Sequence, residues 1–128
     1  MPERIDAADI SGDDILWRRI DQTMMDRNPD GTESLQSWAY KDQNHELSVH
    51  LARETTAEAV LAAGKPEQVL VGIRVQVIRD LGYKVIRDPE PDNSAHCLIF
   101  PYPDNRTHRK AMATASVRVK LESQQKPT

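Results

Sequence analysis

The sequence has little cysteine, few aromatic residues and no long apolar run. Cys97 is the single cysteine among 128 residues, which excludes an internal disulfide and predicts a reducing, cytoplasmic compartment. Aromatic side chains make up only 5%, so the core is expected to consist of Val, Ile, Leu and Ala. The apolar runs are short, and the N-terminus has neither the basic nor the apolar region of a signal peptide. These features predict no export and no membrane partner.

Motifs for the commonest enzyme mechanisms are also missing. The chain has no spacing typical of a P-loop, a dinucleotide-binding turn, a nucleophile elbow or a paired-cysteine zinc site, so no cofactor is predicted. His45 and His50 lie five residues apart in a strand-like alternation, whereas a zinc-binding helix needs them four apart. In a strand this offset sends the two rings to opposite faces, and no metal site is predicted.

Length and hydrophobic content indicate one small globular domain. With 128 residues, 38% of them hydrophobic, the chain can build one core and is too short for two. The early hairpin signals do not supply the long crossovers that parallel strands need, which predicts an α+β fold with a small antiparallel sheet. We expect strands near 15–20, 22–27, 33–41, 83–87 and 96–100, and about three helices near 56–63, 66–81 and 106–121. This single domain should span 15–121, between an acidic, poorly ordered segment 1–14 and a disordered tail 122–128.

Turn and capping residues support several of these boundaries. The run Asn-Pro-Asp-Gly at 28–31 is a strong turn signal in the middle of a hairpin. Thr55 and Glu58 match a capping box at the start of a helix, and Gly64 marks its end. Near the chain's end, Asn105 or Thr107 is expected to cap the last helix.

Two segments are harder to interpret from their patterns. Segment 66–81 fits both a strand alternation and a helical stripe, and Pro66 near its start with Gly82 after its end favours the helix. Residues 47–51 alternate like a strand and are expected at the edge of a sheet.

Arg18, Arg19 and His96 are the candidate site residues of the sequence. As neighbours in a strand, the two arginines must point to opposite faces, and one on the core side needs a carboxylate or phosphate partner. A structural ion pair is the favoured interpretation, and an anion pocket is the alternative. His96 lies where the polar loop 88–93 meets an apolar strand. We expect it to hydrogen-bond this loop rather than act as a general base, because spacing identifies no second catalytic group.

Two further groups of residues are candidate partner-binding surfaces. Trp38 and Tyr40 fall on one face of the predicted hairpin, although a core with few aromatics could claim one of them. The last predicted helix carries a basic outer face formed by Arg106, Arg109, Lys110 and Lys120. A net charge of −3 argues against nucleic acid as the partner. The basic face is therefore expected to be solvated, or to contact the acidic N-terminus or an acidic protein.

Four segments together resemble a family of small bacterial proteins with no established activity: 16–20 (LWRRI), 37–42 (SWAYKD), 47–52 (LSVHLA) and 88–96 (DPEPDNSAH). The resemblance covers residues 15–100. It implies a bacterial origin and assigns no role to any residue.

The sequence supports two functional hypotheses. The first is a non-enzymatic accessory protein that binds another protein, supported by the opposite charges of the two ends and the lack of an assembled catalytic set. The second is a small enzyme or ligand-binding domain in which Arg18 or Arg19, Tyr40 and His96 surround an anionic, nucleotide-like ligand. The second hypothesis requires a concave pocket, and the first requires a flat apolar patch.

Overall fold

Six antiparallel strands form the main sheet. The computed structural model describes residues 5–42 and 45–119. Along the chain, the strands are β1 (Ile15–Asp21), β2 (Met25–Arg27), β3 (Glu33–Leu35), β4 (Leu47–Leu51), β5 (Gln68–Arg74), β6 (Lys84–Arg87), β7 (His96–Phe100) and β8 (Val117–Arg118). The helices are α1 (Ala57–Ala62), α2 (Val75–Asp80) and α3 (Arg106–Ala115). The main sheet has the order β6-β7-β4-β1-β5-β8, and β2 pairs with β3 in a separate hairpin. The predicted α+β fold, with its antiparallel sheet and three helices, is confirmed.

The sheet separates a large core from a small one. Leu16 and Ile20 of β1 point into the large core, which also takes in side chains of α2 and α3. Trp17 points to the other face, where α1 contributes to a small cluster around Val60 and Leu70. Because strand side chains alternate, consecutive residues of β1 serve different sides of the sheet. Among the residues described, no helix has both the length and the apolar composition that crossing a membrane requires.

Segment 66–81 is partly strand and partly helix, so the prediction of one continuous helix is wrong. β5 ends at Arg74 and α2 begins at Val75, with no loop between them. Every residue of β5 has a partner on β1, and this pairing suits the β-branched side chains of the segment better than a helix would. The predicted end is confirmed, since Gly82 follows with a φ of +95°.

The hairpin within 22–41 is shorter than predicted and lies outside the main sheet. β2 and β3 have three residues each and flank the predicted turn, where Gly31 has a φ of +89°. After β3, Ser37–Tyr40 form a single 3-10 turn instead of a strand. The chain bends there because the Tyr40 side chain enters the large core.

The last helix is also shorter than the predicted 106–121. α3 ends at Ala115, because the Ser116 hydroxyl donates back to the Met112 carbonyl and the chain then pairs with β5 as β8. Asn105 caps the helix as predicted, since its side-chain oxygen accepts from the His108 N–H at 3.1 Å.

Two smaller predictions need correction. The N-cap of α1 is Thr56 and not Thr55, and its hydroxyl accepts from the Ala59 N–H at 3.1 Å. β4 is not an edge strand but lies between β7 and β1. Both of its neighbours are distant in sequence, so its own alternation could not indicate this position.

Residues 5–14 pack against the sheet, so the domain begins before the predicted residue 15. Ile10 is only 2% exposed, and Ala7 N–H donates to a carbonyl of the edge strand β6. Four arginines bind acids of this segment: Arg79 binds Asp6, Arg87 binds Asp9, Arg74 binds Asp13, and Arg53 binds Asp14. These contacts, with Glu54 as a second partner of Arg87, are called the N-terminal ion pairs below. Residues 1–4 and the predicted tail 122–128 lie outside the described residues.

Candidate functional site

A cleft opens where the ladder between β1 and β4 ends. β1 pairs with β4 at Leu16 and Trp17, opposite Leu51 and His50. Its pairing with β5, in contrast, continues to Asp21. Beyond Trp17, β1 and β4 therefore diverge. The opening, called the β1–β4 cleft, has a volume of about 660 Å³ and includes in its lining Arg18, Arg19, Trp38, Lys41, His50 and Lys65.

Arg18 bridges the gap between the two strands. Its Nε donates to the Ala39 carbonyl at 2.7 Å, one terminal nitrogen donates to the Ser48 carbonyl at 2.9 Å, and the other reaches the Lys41 carbonyl at 3.4 Å. The Tyr40 ring lies 5.8 Å from the guanidinium carbon and supports it from the core side. A guanidinium has five N–H donors, so two remain for a ligand. The favoured prediction for the core-side arginine was an ion pair, but its hydrogen bonds go to backbone carbonyls.

Arg18 keeps its charge in this setting. Burial lowers the pKa of its guanidinium, and the neighbouring Tyr40 and Asp42 oppose that shift. An arginine starts from such a high pKa that it stays protonated at neutral pH. The cleft therefore contains a permanent positive charge whose position is set by backbone atoms.

Arg19 points to the opposite face of β1, as the strand alternation predicts. One of its terminal nitrogens donates to the Val60 carbonyl at 2.8 Å, in the last turn of α1. Gly64 makes room for this side chain, because a Cβ at Gly64 would lie 2.6 Å from Cδ of Arg19. Arg18 and Arg19 approach the cleft from the two sides of the sheet, and the strand divergence lets both line it.

The charges around the cleft are predominantly positive. Arg18, Arg19, Lys41 and Lys65 line it together with two acids, Asp21 and Asp42. This local excess of cations stands out in a chain with a net charge of −3. A concave, cationic lining attracts anions and concentrates them locally.

His50 is the main residue of the cleft lining that the sequence did not indicate. Burial, with smaller contributions from Arg19, His96 and Arg18, lowers the pKa of His50 to about 4, so the ring is neutral at pH 7. Its Nδ1 lies 2.9 Å from the side-chain nitrogen of Asn93. The Asn93 oxygen accepts from Ala95 N–H at 3.2 Å, which orients the amide so that its NH₂ donates to Nδ1. The proton of His50 is therefore on Nε2, and the ring can donate a hydrogen bond without carrying charge.

His96 lies next to the site but does not line the cleft. Its Nδ1 is 2.9 Å from the Asp88 carbonyl and 3.1 Å from an Asp88 carboxylate oxygen. The His96 ring meets the His50 ring edge-on, with centroids 5.6 Å apart. These contacts match the favoured expectation that His96 holds the loop after β6. None of them directs the His96 side chain into the cleft.

Trp38 and Tyr40 do not form one recognition surface, because the 3-10 turn separates their directions. Tyr40 is fully buried, and its hydroxyl lies 2.6 Å from the Ser116 hydroxyl. Burial raises the pKa of Tyr40 to about 12, which keeps the phenol protonated. Trp38 is 44% exposed and lines the cleft. Tyr40 therefore supports Arg18 from behind, and Trp38 is available to a ligand.

The basic residues of α3 lie elsewhere. Arg106 and Lys110 are exposed, whereas Arg109 is half-buried and donates to the Pro103 carbonyl at 2.9 Å. These residues are not part of the cleft lining. Lys120, the fourth residue of the predicted basic face, lies outside the described residues.

Within 5–42 and 45–119, no three His, Cys, Asp or Glu side chains come together as a potential metal site. Comparison of the chain with family models, curated proteins and solved structures finds no match.

Proposed function

We propose that this protein binds a small anionic ligand in the β1–β4 cleft. The supporting observation is the way Arg18 is held: three backbone carbonyls orient its guanidinium, and its charge remains to attract a ligand. Charge-assisted hydrogen bonds to a phosphate or carboxylate are among the strongest that a site can form. Because Arg18 is already oriented, little side-chain entropy would be lost on binding.

Arg19 and the two lysines complete the proposed anion site. Arg19 uses one terminal nitrogen on Val60, so its remaining donors are free to reach a ligand. Lys41 and Lys65 are exposed at the cleft and add charge without directional constraint. The cleft volume of about 660 Å³ falls within the range of small-molecule sites.

The proposal is for binding and not for catalysis. A general base must accept a proton, but the Nδ1 of His50 already accepts from Asn93 and its Nε2 already carries a proton. In this state His50 is a neutral donor that recognises an oxygen of the ligand. The cleft thus carries groups that hold an anion, and His50 does not supply a base to transform it.

The alternative, a protein-binding accessory subunit, remains a prediction with less support. It requires a contiguous apolar patch. Of the large apolar side chains exposed in the described part of the chain, Ile5 precedes the residues paired with the edge strand β6, and Val117 lies on the opposite edge strand β8. Trp38 belongs to the cleft. These side chains do not combine into one docking face.

We also propose a bacterial, cytoplasmic setting for this binding activity. The resemblance of residues 15–100 to a bacterial family supports the origin. The lone thiol of Cys97, buried and unpaired, suits a reducing compartment. Detection of the native protein in fractionated bacterial cells would test the location.

Isothermal titration with pyrophosphate at low salt tests anion binding. We expect the wild-type protein to bind, and Arg19→Gln and Lys65→Gln each to weaken binding at least about fivefold, since each removes a charge from the cleft. Arg106→Gln is the matched control, because it removes the same charge from an exposed position on α3. Thermal melts check folding, and exposed Lys65 is the variant least able to disturb it.

The same titrations can overturn the proposal. Equal weakening by Lys65→Gln and Arg106→Gln would mean that pyrophosphate responds to net charge and not to the cleft. Absence of wild-type binding at millimolar pyrophosphate would contradict the proposal outright.

A further inference from the structure

The β1–β4 cleft is longer than a single anionic group. Arg18 lies near the point where the strands diverge, and Asp21 and Gln68 line the cleft where β1 ends against β5. Three steps along a strand correspond to about 10 Å. A phosphate at Arg18 would therefore leave much of the cleft for another part of the same ligand.

The lining of the cleft also has an apolar and aromatic part. Ile20, Met24 and Trp38 contribute to it. Trp38 is the largest of these side chains and remains 44% exposed. An exposed indole beside fixed cations is suited to a ligand that has both a planar ring and anionic groups.

The indole of Trp38 is held in a defined orientation. Its Nε1–H donates to the Gln36 side-chain oxygen. The nitrogen of the same Gln36 amide donates to an Asp26 carboxylate oxygen at 2.9 Å. This chain of hydrogen bonds satisfies the polar edge of the indole and limits its rotation, so a ring can stack on its face at a small entropic cost.

We propose that the ligand of the cleft is a nucleoside phosphate whose phosphates contact Arg18 and Arg19 and whose base stacks on Trp38. This inference rests on the proposed anion site and specifies its ligand class. The neutral His50 then donates Nε2–H to a phosphate or ribose oxygen. Aromatic side chains stack on any base, so the site is expected to select for the phosphates more strongly than for the base identity.

Tryptophan fluorescence provides a direct test with ADP as the probe. Trp17 is the other tryptophan of the chain and packs in the small core, so a Trp17→Phe variant leaves Trp38 as the single emitter. We expect ADP to quench Trp38 and to bind at least about tenfold more tightly than pyrophosphate. Adenosine, which lacks the phosphates, should bind far more weakly than ADP.

A Trp38→Leu variant separates the ring contact from the anion contact. We expect it to lower the affinity for ADP about tenfold and to leave the affinity for pyrophosphate unchanged, because stacking contributes only when the ligand has a base. Trp38→Phe retains a ring and should recover part of the loss.

The same experiments distinguish an incorrect nucleotide assignment from a lack of anion binding in the cleft. If pyrophosphate binds as tightly as ADP and Trp38 is not quenched, the nucleotide assignment is wrong while anion binding stands. If neither probe binds, both are wrong. If a short 5′-phosphorylated oligonucleotide binds more tightly than ADP, the ligand is a nucleic acid end and the assignment to a free nucleotide is overturned.

Discussion

Two groups of arginines in this protein are held in opposite ways. In the N-terminal ion pairs, the arginines each bind a carboxylate of residues 5–14; they are Arg53, Arg74, Arg79 and Arg87. In the β1–β4 cleft, Arg18 and Arg19 donate their hydrogen bonds to backbone carbonyls. The first arrangement neutralises the positive charge within the fold. The second fixes the position of the charge and leaves it available.

The difference shows how arginine chemistry separates structural from functional roles. Arg87 binds both Asp9 and Glu54, and these contacts raise the pKa of Arg87 and lower that of each carboxyl group. The charges thereby stabilise one another and tie the N-terminal segment to the sheet. The hydrogen bonds of Arg18 go to neutral acceptors, and an anion arriving from solution can add to the compensation that the charge of Asp42 gives.

The largest effect should come from Arg18→Met. The substitution leaves the Ala39 and Ser48 carbonyls without their donor, so we expect the free energy of unfolding to fall by about 3 kcal/mol. Pyrophosphate binding should be lost. Arg87→Met provides the comparison: it should lower stability by about 1 kcal/mol, because its ion pairs are near the surface, and leave binding intact. Urea melts measure the stability of the two variants, and titration calorimetry measures their pyrophosphate binding. Equal loss of binding in the two variants would show that the two groups of arginines do not differ in this function.

A pH effect of about 2 kcal/mol should arise from His50. Its folded pKa of about 4 lies below the ordinary value of 6.5, so the unfolded chain takes up a proton first as the pH falls. Stability from the neutral ring is therefore present above pH 6.5 and is lost between 6.5 and about 4. Urea melts across this range should show a shallower decline for His50→Gln than for wild type. Identical slopes for the two proteins would contradict the prediction.

His96→Ala should lower stability by about 1–2 kcal/mol without affecting the cleft. The change removes the hydrogen bond between His96 and the Asp88 carbonyl. The expected loss in the free energy of unfolding is that of a typical buried hydrogen bond. Because His96 does not line the cleft, pyrophosphate affinity should stay within about twofold of wild type. An unchanged melting temperature combined with lost binding would instead assign His96 to the site.

Gly64→Ala tests the cleft without changing any charge. The new Cβ would lie 2.6 Å from Cδ of Arg19 and 2.3 Å from Oε1 of Gln68, so both flexible side chains must move. We expect pyrophosphate affinity to fall about threefold while stability changes by less than about 1 kcal/mol. Unaltered affinity would indicate that the position of Arg19 does not matter for binding.

The smallest effect is expected at Cys97, which pairs in register with Arg87 of the N-terminal ion pairs. Burial raises the pKa of Cys97 to about 11, so the thiol is almost fully protonated at pH 8. Labelling by a disulfide reagent should be at least roughly 100-fold slower in the native protein than in the unfolded chain, with or without pyrophosphate. Rapid native labelling would show that this side of the sheet opens more readily than its contacts suggest.

Several features of the fold followed from local patterns in the sequence. The antiparallel class, the turn at 28–31, the cap at Asn105 and the end at Gly82 all depend on residues within a few positions of one another. The opposite directions of Arg18 and Arg19 also follow from strand geometry alone. Where local periodicity changed within one segment, as from β5 to α2, the pattern could not tell where the strand ended.

The sequence predicted only part of the candidate site, because the residues that form it are far apart along the chain. Adjacent arginines indicated an anion pocket or an ion pair, and the residues alone favoured the ion pair. The tertiary structure brings the Ser48 carbonyl, 30 residues away, to Arg18, whereas acids of residues 5–14 bind other arginines. The tertiary structure also places Asn93 against His50 and thereby fixes the imidazole proton on Nε2. The sequence indicated only that His50 belongs to a strand. Sequence periodicity determines which face of a strand a side chain takes, but only long-range strand order determines what it meets there.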